Sequence, residues 1–160
     1  MPEPPAHMMK TCEITLDTSE FESKLNRIDK VLMPEALRKG MGRAVMQLLN
    51  DAAMEIPTVP LLIGTLRGSG SAFVDNKYIG SSANPTGLGT PSTVACEVLR
   101  PDEVLGMAAF NTPYAARLHE HPEFKFTEPG SGGKYLEASL AFNSQVYMHI
   151  IADALKEAMV

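Results

Sequence analysis

Two apolar stripes at helical spacing bracket a middle stretch whose apolar residues recur with the period of a strand, and that order restricts the chain to few architectures. The first stripe, Leu37, Met41, Ala44, Val45, Leu48, Leu49 and Ala52, follows Pro34, whose fixed φ suits a first helical turn, and ends before Pro57. The second, Leu136, Leu140, Tyr147, Ile151, Ala154 and Leu155, widened by Val146 and Ile150, predicts a helix from about Lys134 to Ala158. Between them, Ser71 to Ile79 reads as strand, tight turn at Asp75-Asn76, strand. Thr93 to Leu99 alternates with Val94, Cys96 and Val98 on one face, and Val104 to Phe110 supplies a further strand after the turn at Arg100 to Glu103. Helices before and after a sheet segment indicate an α+β fold, a small antiparallel sheet of three or four strands packed with N-terminal helices and a long C-terminal helix.

At 160 residues the chain fits one domain. Residues 1–11, crowded with proline, read as a flexible arm, either a frayed terminus or a segment that orders on a neighbouring subunit; residues 12–160 form the domain. Cys12 to Leu16 adds a short strand, and Ser19 with Glu22 makes a capping box for a first helix from about Ser19 to Asp29. Gly40 and Gly42, inside the next helix, cost about 1 kcal/mol each relative to alanine, which a close helix crossing or a bend explains. The outer face of that helix is assigned Arg38, Lys39, Arg43 and Asp51. Gly80 to Ser92, rich in Gly, Ser, Pro, Asn and Thr, reads as a long mobile loop.

Composition narrows the function. Apolar residues make up 44% and charged residues 21%, which excludes a wholly disordered chain. No apolar run approaches the roughly 20 residues of a membrane span, and the N-terminus lacks the basic and apolar regions of a secretory signal. A soluble protein made in the cytoplasm is expected. The net charge of -5 lacks the basic footprint of a phosphate binder, and a mildly acidic surface instead suits a protein that adjoins DNA without gripping it. Cys12 and Cys96 are too few for a disulfide framework, so a reduced compartment is the simpler reading.

The chain changes character at Asn111 to His121. Thr112 can cap a short helix through its hydroxyl, Pro113 suits the first helical position, Tyr114 and Leu118 fall on one face, and His121-Pro122 ends the helix. His119, Glu120 and His121 invite a metal reading, but helix-borne histidines that share an ion normally lie four apart, not two. On an extended backbone they can converge with His149, His7 or Cys96; otherwise they form a solvated helix end, with Glu120 pairing to Arg117 or to a neighbouring subunit. Gly130 to Lys134 has the flavour of a phosphate loop, yet Tyr135 stands where Ser or Thr should follow the lysine, so a flexible turn before a helix is the reading. Ser69, Ser71 and Ser139 lack the setting of a nucleophile. No catalytic signature rises above background, and no cofactor is expected. Phe124-Lys125-Phe126 reads as a short edge strand or hairpin arm, able with the other loops to add to a neighbouring molecule.

A proline-bearing loop, then Gly64-Thr65-Leu66-Arg67-Gly68-Ser69, a β region, Tyr114-Ala115 with His119-Glu120, an aromatic loop with Phe124 and Phe126, and Tyr135-Leu136-Glu137 opening a last helix follow one another in this chain. This order resembles the minor capsid or neck proteins of tailed double-stranded-DNA bacteriophages, the tail-completion proteins, from roughly Leu25 to the C-terminus. The resemblance implies a non-enzymatic subunit of a homo-oligomeric ring, hexameric as tails are sixfold, at the head-tail junction of the virion. Its implied partners are a head-side connector or adaptor and a tail terminator or tail tube protein, with DNA passing through the channel without sequence-specific binding. Gly64, Thr65, Leu66, Arg67 and Ser69 would shape the loop-to-strand entry, Tyr114, Ala115, His119 and Glu120 the second motif, and Tyr135, Leu136 and Glu137 the start of the closing helix. His121-Pro122 stands where the family commonly runs a glycine. A tie between Arg67 and Glu120, within a subunit or across an interface, is the expected link between the motifs.

Overall fold

The computed structural model describes residues 12–14, 32–60, 64–83, 87–92 and 103–160. Strand β1 (Cys12–Ile14) precedes helix α1 (Leu32–Met54). A 3-10 turn (Arg67–Ser69) then leads into β2 (Gly70–Val74), β3 (Lys77–Ser81) and β4 (Gly106–Phe110). The short helix α2 (Ala115–Glu120) and the long helix α3 (Tyr135–Ala158) complete the α+β arrangement. The sheet is antiparallel throughout, in the order β1-β4-β2-β3.

The β2–β3 hairpin turns at Asp75 and Asn76, whose φ values of 48° and 61° are the pair that a two-residue turn between right-twisted strands requires. Asp75 also fixes where that hairpin lies. Its carboxylate accepts the Leu105 N–H at 2.9 Å and the Arg38 Nε–H at 2.6 Å, and its own N–H donates to Leu105 O at 2.8 Å. One side chain thereby joins the turn to the entry of β4 and to α1.

The apolar stripe of α1 is buried almost without remainder, with Met41, Val45, Leu48, Leu49 and Ala52 at most 1% exposed. It lies between the sheet and α3. Gly106 of β4 faces Met41 and Val45, where a Cβ would come within 2.7 Å of either side chain. At Gly40 a Cβ would lie 3.0 Å from Ile151 Cα and 3.0 Å from Ala154 Cβ, so the expected close crossing is with α3. Two interior glycines cost about 2 kcal/mol of helix propensity together, against roughly 1.5–3 kcal/mol for each large apolar side chain that the crossing buries. Packing decides the helix.

Several expectations change. Gly80 and Ser81 belong to β3, so the loop begins at Ser82. Asp51 is not on the outer face of α1; it is 9% exposed and bonded to Tyr147 at 2.6 Å and to Gln47 at 2.8 Å. Val146 is exposed and does not widen the buried face of α3. Phe124 to Phe126 is irregular and not a strand, because no backbone ladder reaches it and Pro122 and Pro129 bound it closely. The arm at 1–11, the helix at 19–29 and the strand at 93–99 lie outside the described residues. Among the described residues, no helix is long and apolar enough to cross a membrane.

Candidate interaction site

Tyr135, the first residue of α3 and 1% exposed, is the anchor on which α2 rests. Its ring meets Phe110 edge-on at 5.5 Å and His119 edge-on at 4.8 Å, arrangements that the aromatic quadrupole favours. Behind it, Lys134 takes a left-handed φ of 56° and donates its N–H to His119 O at 2.8 Å. Gly133 backs onto Pro122, where a Cβ would lie 2.8 Å from backbone, so only glycine permits this approach. The glycine-lysine run is therefore a turn that presses the end of α2 onto the start of α3.

Lys134 also settles the charges of the second motif. Its ammonium donates to Glu120 Oε2 at 2.7 Å and to Glu137 Oε1 at 3.1 Å. The bond from Lys134, with a smaller one from His119, holds the Glu120 carboxyl below the usual carboxylate range, and Glu120 ahead of Glu137 holds the lysine above its own. His119 Nδ1 lies 3.3 Å from Glu120 Oε1. His119, Glu120 and Glu137 are close enough to share an ion, but the ammonium already bonds both carboxylates. His121 is elsewhere, stacked on Phe124 at 4.8 Å with its Nδ1 2.7 Å from Glu123. His119, Glu120 and His121, weighed as metal candidates, do not converge, since neighbours two apart on a helix end leave on different sides, as their spacing suggested.

The first motif folds as a tight entry to β2. Gly64 has φ 89°, Gly68 N–H donates to Gly64 O at 2.8 Å, and Ser69 N–H to Leu66 O at 3.0 Å. Ser69, fully buried, donates its hydroxyl to Leu66 O at 2.7 Å and accepts the Asn111 N–H at 3.1 Å. That last bond joins the two motifs directly. Arg67 donates to Val59 O at 2.7 Å and to Glu128 Oε2 at 3.0 Å, while Ser131 Oγ donates to the same Glu128 oxygen at 2.7 Å. Within the chain, then, Arg67 pairs with Glu128 and Glu120 with Lys134; the expected Arg67–Glu120 tie is not made. Thr112 is also corrected: α2 starts at Ala115, with Tyr114 before it giving no side-chain cap, and the Thr112 hydroxyl is buried without a hydrogen-bond partner.

Because Arg67 pins the proline loop to the segment before α3, Arg67→Ala is expected to cost about 2 kcal/mol, typical of a hydrogen bond to a charged group with little solvent screening. The Arg67 side chain is 18% exposed and that of Glu128 33%, so the pair is not a surface pair of negligible worth. Urea unfolding of the variant beside Glu128→Gln measures it; a loss below about 0.5 kcal/mol in both would show that the pin is dispensable.

Together the motifs wall one open groove of about 470 Å³. Pro60, Gly64, Thr65 and Leu66 form one side, and Tyr114, Arg117, Leu118 and Phe124 the other. The Arg117 guanidinium lies 5.5 Å over the Phe124 ring. Ala115 and Leu136 are buried in the core and, like the half-buried Phe126, do not line the groove. Of the eight residues that line it, the sequence motifs named Gly64, Thr65, Leu66, Tyr114 and Phe124 but not Pro60, Arg117 and Leu118. The spacing already set Tyr114 and Leu118 on one helix face, and Arg117, three residues after Tyr114, belongs to the same face. No protein-family profile, curated protein or solved structure matches the chain.

Proposed function

We propose that the chain is a structural subunit of a tailed-phage virion, a neck or tail-completion ring component at the head-tail junction that lets DNA pass. The observation that carries this reading is the groove: Gly64 to Ser69 and Tyr114 to Glu120, far apart in sequence, wall and support one open apolar depression. Arg67 and Glu120 beside it are spent on other side chains, Arg67 on Glu128 and Glu120 on Lys134, which suits docking better than bond making. Apolar walls with few polar points are what a contact surface needs. In a ring each copy presents two unlike faces, and a head-to-tail contact closes when its rotation closes; sixfold closure would match a tail. A net charge of -5 favours DNA sliding past over DNA held. The ring would sit between a head-side connector or adaptor and a tail terminator or tail tube; within the same class, the adaptor and terminator positions themselves are the alternatives.

Electron microscopy of particles from a phage genome that carries this reading frame, with the frame disabled, tests the proposal. Filled heads and finished tails lying apart, or tails unfinished at their upper end, are the expected result. Normal infectious virions would overturn it.

A further inference from the structure

A second apolar feature stands on the surface away from the core's needs. Phe142 and Val146, one turn apart on α3, are 76% and 49% exposed, and Met54 and Ile56 at the end of α1 are 80% and 75% exposed. A bond from Asn143 Nδ2 to Glu55 Oε2, 2.5 Å long, sets the two pairs side by side. Single exposed apolar side chains are ordinary, but four together mark a contact surface.

This patch and the groove carry opposite charges. Arg117 makes no ion pair among the described residues, its guanidinium resting on the Phe124 face. Glu55, between Met54 and Ile56, has no cationic partner among the described residues and is held only by the amide of Asn143. A guanidinium therefore stands beside an apolar hollow, and a carboxylate stands inside an apolar knob. Both are unneutralised.

We infer that the groove of one copy receives the Phe142 patch of a second copy, with Arg117 of one set against Glu55 of the other. The inference deepens the ring reading and rests on it. Phe142 is the anchor, since aromatic side chains seated in pockets carry most of the binding energy of an interface. The groove, at about 470 Å³, is of the size that encloses a small organic ligand and so admits an aromatic side chain. Knob and groove share no residue, so a pair of copies still offers one free groove and one free knob. Such a contact propagates from copy to copy.

Sedimentation of the full chain across concentrations, for wild type, Phe142→Asp and Tyr114→Asp, tests it. Both altered residues are exposed, so unfolding midpoints should match wild type and failure to fold is checked directly. Wild type is expected to self-associate, and each variant to weaken association by about 30-fold or more. An equimolar mixture of the two should form a discrete heterodimer and nothing larger, because the first retains an intact groove and the second an intact knob. Arg117→Glu should weaken association by about tenfold, and Glu55→Arg added to it should restore the affinity.

A wild-type chain that stays monomeric at millimolar concentration would overturn the inference, whether another part of the chain or a different protein fills the groove. So would variants that associate like wild type, or a mixture that does not pair. Rings that persist in Phe142→Asp would remove these docking surfaces and leave the ring reading standing. Conversely, pairing as expected with normal virions after loss of the reading frame would keep the docking and remove the neck assignment.

Discussion

Tyr147→Phe is expected to lower the free energy of unfolding by about 2 kcal/mol, although it removes one atom. That atom donates to Asp51 Oδ2 at 2.6 Å, inside a contact between α1 and α3 where Tyr147 is 3% and Asp51 9% exposed. Asp51 has no cation beside it among the described residues; its charge is met by dipoles, the Tyr147 hydroxyl and the Gln47 amide at 2.8 Å. A carboxylate out of water that loses its shorter bond bears most of the desolvation penalty itself. The Tyr147 hydroxyl also lies 3.3 Å from Ser139 O, but it has one proton to give, and the shorter contact to the charged acceptor takes it.

The same group makes a pH signature. Burial first, and then the bond to Asp51, pushes the Tyr147 hydroxyl well above its ordinary range. In the unfolded chain it would lose its proton near pH of about 10, while the folded protein keeps it. Its contribution to stability is thus complete below about pH 10 and declines above it by up to about 1.4 kcal/mol per pH unit. Urea unfolding of wild type and Tyr147→Phe from neutral pH to about pH 11 should give curves that approach one another on the alkaline side. Curves that stay parallel would show that the hydroxyl is solvated.

The second large effect belongs to Gly40. Gly40→Val is expected to cost about 3 kcal/mol, as overpacking of a closed contact does, and to lower Tm by about 10 °C in a chain of this length. The obstacle is backbone: a Cβ there meets Ile151 Cα at 3.0 Å and Ile151 O at 3.2 Å, atoms that move only if α3 moves. Gly40→Ala should fall near zero, since the gain of about 1 kcal/mol in helix propensity is offset by the same contacts. Gly42 provides the contrast. Its nearest neighbour is the end of a side chain, Ile79 Cδ1 at 3.3 Å, which can turn aside, so Gly42→Ala should stabilise by up to about 1 kcal/mol. Equal losses at the two positions would mean that the helix crossing is not what requires glycine.

Where the sequence was informative, a short-range rule was sufficient. The stripes of α1 and α3 follow from spacing, and the hairpin follows from Asp75-Asn76, because few residues accept a left-handed φ at two successive positions. The glycine at position 40 pointed to a crossing but could not say with which helix. What escaped were pairings set by tertiary approach. Asp51 sits on the same helix as Arg38 and Arg43 and has their polarity, yet Tyr147, 96 residues on, is what turns it inward. Arg67 and Glu128 are joined across 61 residues, and nothing local to either names the other. For Glu120 the sequence offered Arg117, Arg67 or a neighbouring subunit, whereas Lys134 reaches it from a turn with left-handed backbone. The candidate site was legible as two motifs; that they share one groove was a matter of how β2 and β4 lie side by side, with Gly70 opposite Phe110.

The distance in sequence between α1 and α3 also has a consequence during synthesis. Gly40 meets Ile151 and Ala154, and Asp51 meets Tyr147, so a surface that covers one side of α1 is made 96 or more residues after it. At about 5–20 residues per second, α1 waits on the order of 5–20 s outside the ribosome before α3 follows it. During that interval its stripe from Met41 to Ala52 lacks the cover that α3 gives it. A nascent chain of this protein is thus a substrate for whatever binds apolar helices at the ribosome exit, until α3 arrives and takes that place.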